Sequence, residues 1–194
     1  MTRTFIALER DEPLQHHLSE TIRRMAQALP RLKWADPASV HLTLAFLGEL
    51  TDEQLADAIQ ASGEAACQVA PFRYRLAQLG TFGSPRQPRV VWAGVDEPTG
   101  KLTHLQRILT RELEQRGFEM EARPFSPHLT LARVKEPLSA AELQTLQRLL
   151  ADKDLSAPSP YYRVQHLSVM KSELSRGGAK YTSLRDCPLG ERPA

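Results

Sequence analysis

Two stretches of this 194-residue chain carry an imidazole and a hydroxyl at the same spacing. His41-Leu42-Thr43-Leu44-Ala45 and His128-Leu129-Thr130-Leu131-Ala132 are identical and lie 87 positions apart. A run of short apolar and β-branched residues between turn signals predicts a strand. Successive side chains on a strand point to opposite faces. Each copy therefore sends its Leu pair to one face and its His and Thr to the other. The Leu face is core. A ring nitrogen and a hydroxyl need partners or solvent, and a cleft provides for both. Two imidazoles in one cleft suit general acid–base catalysis near neutral pH, one taking a proton from a nucleophile and the other giving one to a leaving group. A phosphodiester fits that arrangement, because its attacking and leaving oxygens lie roughly in line on opposite sides of phosphorus. The Thr43 and Thr130 hydroxyls can donate to the non-bridging oxygens, where charge develops.

Other chemistries find less support. Catalytic zinc usually takes three protein ligands, and the motifs supply two. His16 and His17 are adjacent on a predicted helix and cannot face one point; His104 on a helix and His166 on a later strand read as structural. There is no Gly-x-Ser-x-Gly elbow, no Walker-type loop and no Gly-x-Gly-x-x-Gly loop. No cofactor and no metal are expected. Cys67 and Cys187 have neither metal-type spacing nor an activating neighbour, so a reduced, cytoplasmic setting is expected. No apolar run approaches membrane-spanning length, and Glu9-Arg10-Asp11-Glu12 interrupts the start too soon for a signal peptide. The net charge of +2 gives no polybasic character, although 19 of the 25 basic residues are Arg, which favours planar contacts to carboxylate or phosphate.

The elements that must position the motifs repeat as well. A strand is predicted over Thr4 to Leu8, then a helix from Pro13 to Leu29 with Leu14, Leu18, Ile22 and Met25 inward, stopped by Pro30. The first motif strand runs from Val40 to Leu47 and closes at Gly48. Thr51 with Gln54 forms a capping box for a helix to about Val69, and Phe72 to Phe82 is a strand. Val90 to Val95 then reads as a strand, Thr99 to Arg116 as a helix closed by Gly117, and His128 to Val134 as the second motif strand. Ser139 with Glu142 caps a helix to about Leu150, and Tyr161 to Met170 is a strand. Ser175-Arg176-Gly177-Gly178 is a turn before a last strand over Ala179 to Leu184. Laid on each other, Phe5 falls on Trp92, His41 on His128, and Tyr74-Arg75-Leu76 on Tyr162-Arg163-Val164, always 87 or 88 positions apart. The pattern predicts an internal duplication packed around a pseudo-two-fold axis, because neither half can bury its own sheet face.

Two His-x-Thr-Leu motifs on matching halves resemble the 2H phosphoesterase superfamily, and within it the RNA 2′,3′-cyclic phosphodiesterases, also called 2′-5′ RNA ligases. The resemblance covers nearly the whole chain: Arg3-Thr4-Phe5-Ile6-Ala7, the run from His41 to Gly48, the run from Pro127 to Arg133, and the tail from Arg176 to Thr182. It implies an α+β fold, bilobal and duplicated about a pseudo-two-fold axis, with two mainly antiparallel sheets flanking a central cleft and helices packed outside. Residues 1–194 are expected to form one domain, with repeat halves over about 3–83 and 89–170 and a C-terminal hairpin strand over 171–186. The implied activity opens a terminal 2′,3′-cyclic phosphate to a 2′-phosphate without metal, with reversible 2′-5′ RNA ligation as an accompanying activity of the same histidine pair. By the family's convention His41 is the proton donor and His128 the acceptor, with Thr43 and Thr130 binding phosphate; the residues themselves leave the two roles open.

Phe46, Arg133, Arg176 and Tyr181 are further candidate substrate contacts, with Lys180 beside the tail, and Trp34 is a second aromatic that could stack on a base. Strict alternation puts Arg133 on the Leu face, so it needs a twist or a strand end to reach the cleft. Arg73, Arg75, Arg86 and Arg89 form a basic cluster of no assigned use. The expected partners are RNA ends or nucleotides carrying a 2′,3′-cyclic phosphate, with no membrane and no obligate protein partner for a monomer. The alternative reading is a non-catalytic module that binds single-stranded RNA or nucleotides.

Overall fold

The computed structural model describes residues 1–8, 11–175 and 178–191. Nine strands and four helices are found among them. In chain order they are β1 (Thr2–Leu8), α1 (Glu12–Ala28), β2 (Lys33–Trp34), β3 (Leu42–Leu50), α2 (Asp52–Ala66), β4 (Phe72–Ser84), β5 (Gln87–Asp96), α3 (Lys101–Glu114), β6 (His128–Arg133), α4 (Ala140–Leu150), β7 (Tyr162–Val164), β8 (His166–Ser175) and β9 (Gly178–Pro188). The two capping boxes form as expected: Thr51 accepts from the Gln54 amide and Ser139 from the Glu142 amide, and each N3 side chain returns the bond. Asp11 caps α1 by accepting from the Leu14 amide, with Pro13 in the first turn.

The strands form two antiparallel sheets, ordered β3-β1-β8-β9 and β2-β6-β5-β4-β7. This is the expected α+β architecture with two antiparallel sheets. The repeat is visible in it, since β3-β1-β8 answers to β6-β5-β4. The halves are nevertheless not self-contained. β4 comes from the first half of the sequence and pairs with β5; β8 comes from the second half and pairs with β1. Each half thus lends its third strand to the other's sheet. The reason lies in the turn. Ser84 pairs with Gln87 across Pro85-Arg86, and a strand closed by so tight a turn pairs with its successor.

Several boundaries differ from expectation, and three of them shape the sheets. Gly48 does not end the first motif strand: with φ of +74°, a conformation that favours glycine, it sits beside a bulge at Leu47, and β3 continues to Leu50. The strand expected from Tyr161 to Met170 is split at Gln165, because β7 belongs to one sheet and β8 to the other. The last strand runs further, from Gly178 to Pro188; the expected Arg176-Gly177 turn lies outside the described residues. At the seam, Tyr74 lies directly opposite Tyr162, its counterpart in the repeat, with ring centroids 6.2 Å apart.

A hydrophobic cluster runs through both sheets, from Ile6, Leu42 and Leu44 to Val91, Leu129 and Leu131, and includes the inward stripes of all four helices. Among the described residues no helix is long and apolar enough to cross a membrane. The other sheet face carries aromatic groups. Trp92 lies flat over Gly80, where an added Cβ would fall 2.3 Å from the indole. Gly80→Ala must therefore push the indole off its seat, at a cost of about 1–3 kcal/mol for overpacking. A lower midpoint of chemical denaturation and a shift of Trp emission are expected; unchanged values would mean that Trp92 does not rest there.

Candidate active site

The two motif strands come from different sheets but meet, with Cα atoms of β3 and β6 within 8 Å of each other. Each carries one extra residue at the same place. Along β1 and β3, Ala7 faces Thr43 and Ile6 faces Ala45, leaving Leu44 unmatched. Along β5 and β6, Trp92 faces Thr130 and Val91 faces Ala132, leaving Leu131 unmatched. Leu44 and Leu131 are equivalent in the repeat. A bulge of this kind resets which side chains share a face. Leu44 with Ala45, and Leu131 with Ala132, all turn into the core. The next residues, Phe46 and Arg133, then return to the face that bears Thr43 and Thr130: Phe46 is matched with Phe5 and Arg133 with Val90. Alternation alone puts Arg133 on the Leu face, and the bulge corrects this.

Both imidazoles are half-buried and held in the same way. His41 Nδ1 is 3.0 Å from the Ser39 carbonyl, and His128 Nδ1 is 2.8 Å from the Ser126 carbonyl. A carbonyl oxygen only accepts, so each Nδ1 carries a proton, and Nε2 becomes the nitrogen that exchanges protons with a bound molecule. The loops that lead into the two strands supply these carbonyls. Asp36 caps the 3-10 turn Pro37–Ser39 by accepting from the Ala38 amide at 2.9 Å. Pro127 follows Ser126 directly. Motif spacing does not foretell either carbonyl, although a Ser stands two residues before each His and is there to be read.

Aromatic rings complete the seats. His41 meets Phe5 and Tyr181 edge-on, with centroids 5.8 and 5.4 Å away. His128 meets Phe82 edge-on at 4.8 Å, and Phe82 leans on Trp92. The repeat is broken here, since Phe5 touches its His directly whereas Trp92 acts through Phe82. Thr43 and Thr130 are half-buried, and neither hydroxyl is bonded to a protein group among the described residues. Phe46 is 71% exposed and 6.1 Å from Phe5. Tyr181 and Lys180 line a cavity of about 360 Å³ that also includes His41.

The remaining candidates differ in their surroundings. Trp34 donates its indole N–H to the Leu29 carbonyl at 2.8 Å and packs, partly buried, on the core. Arg133 is exposed at the end of β6. Arg176 lies outside the described residues. The basic cluster is divided by the β4–β5 hairpin: Arg73 faces Arg163 and Arg75 pairs with Asp96 at 2.7 Å near one end, while Arg86 and Arg89 sit near the other. His104 contacts Arg107 on the surface of α3. Among the described residues no three His, Cys, Asp or Glu side chains gather as a metal site. Cys67 and Cys187 are free thiols.

Comparison with known proteins identifies a family and a shared fold. A profile of the 2′-5′ RNA ligase superfamily matches residues 11–176. An RNA 2′,3′-cyclic phosphodiesterase of Methanothermobacter thermautotrophicus is 32% identical over 182 residues, which is 94% of this chain and 96% of the relative. The crystal structure of a Thermus thermophilus protein superposes with a TM-score of 0.78 at 29% identity, covering 97% of this chain and 98% of that one. That of Escherichia coli LigT complexed with 3′-AMP gives 0.74 at 26% identity, covering 98% and 99%.

The hydrogen bonds to Ser39 and Ser126 make a prediction. In long-range ¹H–¹⁵N spectra at alkaline pH, both neutral rings should show the tautomer protonated at Nδ1. A ring with its proton mainly on Nε2 would refute the arrangement for that histidine.

Proposed function

Since the chain belongs to the 2′-5′ RNA ligase superfamily, we propose that it opens the 2′,3′-cyclic phosphate at the end of an RNA to a 2′-phosphate. The observation that carries this reading is the matched anchoring of His41 and His128 through Nδ1. It fixes Nδ1 of each ring as the proton-bearing atom and makes Nε2, one from each half of the fold, the atom assigned to proton transfer. In the proposed step His128 Nε2 takes a proton from water as the oxygen attacks phosphorus. The bond from phosphorus to O3′ breaks on the opposite side, and His41 gives its Nε2 proton to O3′. The products are a 2′-phosphate and a 3′ hydroxyl, and the two rings regain their starting states by exchange with solvent. With a 5′ hydroxyl of a second RNA in place of water, the same step in the same direction breaks the bond to O3′ and joins the two RNAs through a 2′-5′ link.

Thr43 and Thr130 donate to the non-bridging oxygens as charge builds there. Arg133, which the bulge returns to their face, adds a cation for the same phosphate. Phe46, exposed on that face, offers a ring to a base. Tyr181 supports His41. The protein acts without a metal, as a monomer, on RNA ends in the cytoplasm.

The test is an oligonucleotide ending in a 2′,3′-cyclic phosphate, incubated with EDTA present. Turnover should persist and yield only the 2′-phosphate; loss of activity restored by zinc or manganese would overturn the two-histidine mechanism. His41→Ala and His128→Ala should each lower kcat by about 10²–10⁴-fold, roughly 3–5 kcal/mol of barrier, and the double variant by less than the product. Full activity in either would favour a binding module. Thr43→Val or Thr130→Val should lower kcat by about tenfold to a thousandfold; a change in KM alone would limit the hydroxyls to ground-state binding. With one ring acting protonated and the other neutral, kcat/KM should pass through a maximum with pH, and a flat profile would argue against the pair.

A further inference from the structure

The cavity beside His41 contains a group that a site for RNA has no evident reason to keep. Its wall is formed by Asp36, Ser39, His41, Lys180, Tyr181 and Ser183, among others, and its volume of about 360 Å³ falls at the small end of the usual range for small-molecule sites. Asp36 is a carboxylate, and a carboxylate repels phosphate. Its position is not loose. Asp36 Oδ1 accepts from the Ala38 amide at 2.9 Å, which fixes the side chain on the same turn that presents the Ser39 carbonyl to His41. The orientation of the acid and that of the histidine are therefore set by one loop. The second carboxylate oxygen and the remaining lone pair of Oδ1 are left to accept.

What they accept follows from the substrate's chemistry, on the reading proposed above. In a nucleotide ending in a 2′,3′-cyclic phosphate, O2′ and O3′ are both esterified, and in an RNA O5′ is as well. The only N–H donors left on that nucleotide are on its base. We infer that Asp36 reads the Watson–Crick edge of the terminal base and makes this protein prefer RNA ends with guanine. Guanine places N1–H and the N2 amine side by side, which matches the two oxygens of a carboxylate. Adenine and cytosine offer one exocyclic amine each. Uracil offers a single N–H between two carbonyl oxygens, which a carboxylate repels. The expected order is guanine, then adenine and cytosine, then uracil. Tyr181, held against His41 and Phe5, gives the cavity an aromatic wall beside the base.

The test uses the four nucleoside 2′,3′-cyclic phosphates, in which every group but the base is the same. The ratio of kcat/KM for guanosine over uridine should be about tenfold or more, as expected for one good hydrogen-bonded pair with a base. Asp36→Asn keeps a residue that caps a turn well, but replaces one acceptor by a donor. It should cut the guanosine-to-uridine ratio by about tenfold. Calorimetric binding of 2′-GMP and 2′-UMP, which needs no turnover, should show the same preference and the same loss. Equal treatment of the two bases by the unaltered protein, or a preference that survives Asp36→Asn, would overturn the assignment. Failure to open any of the four substrates, with the binding preference present and lost in the variant, would count against the proposed reaction and not against Asp36.

Discussion

One unmatched residue in each motif strand governs what the His-Thr face presents. Without the bulges at Leu44 and Leu131, Ala45 and Ala132 would follow Thr43 and Thr130 onto that face, and Phe46 and Arg133 would point into the core. With them, two consecutive residues are buried in each strand and the next one emerges beside the threonine. Burying Arg133 unpaired would cost several kcal/mol, so the bulge also keeps the core free of that charge. A single-residue register change thus serves packing and site together. It occurs at equivalent positions of both halves, which ties it to the shared motif and not to local accident.

The exchange of third strands does for the lobes what the bulges do for the motifs. If each half kept its own third strand, two small sheets would meet only through side chains. Here β4 and β8 each belong to the other half's sheet, and β7 pairs with β4 at the seam. Backbone hydrogen bonds therefore cross between the halves. One histidine comes from each half, and the proposed proton transfer needs both held to within a fraction of an ångström. A ladder of backbone bonds limits sliding between the halves far better than an apolar contact does.

The histidines themselves are held by backbone and ring contacts. Each Nδ1 bonds a carbonyl of the proline-bearing loop before its strand, and each ring is met edge-on by an aromatic side chain. Packing limits ring rotation, and the carbonyl sets the tautomer. Neither group needs to touch substrate. The loop before His41 has a second use, because Asp36, which caps its turn, also lines the cavity next to the histidine. Local hydrogen-bond chemistry that stabilises a turn has placed an acid where it can meet a ligand.

Much of this is written in the chain. The motif pair His41-Leu42-Thr43 and His128-Leu129-Thr130, the capping boxes at Thr51 and Ser139, the helical stripes and the 87-residue offset follow from patterns of period 2 and 3.6 and from local hydrogen bonding. Such patterns act within a few residues and so are visible in a linear string. What the string does not reveal is decided by pairing between distant segments. The face of Arg133 depends on a bulge defined only against β5; the split at Gln165 depends on which sheet each flanking strand joins; the seat of His128 depends on Phe82, which reaches it from β4 across β5. That the Trp34 indole N–H is satisfied by Leu29, at the end of the first helix, is likewise decided only once the two segments meet. Each segment's preferences are local properties of its residues, and the tertiary structure chooses among them, because register and burial exist only once two segments have met.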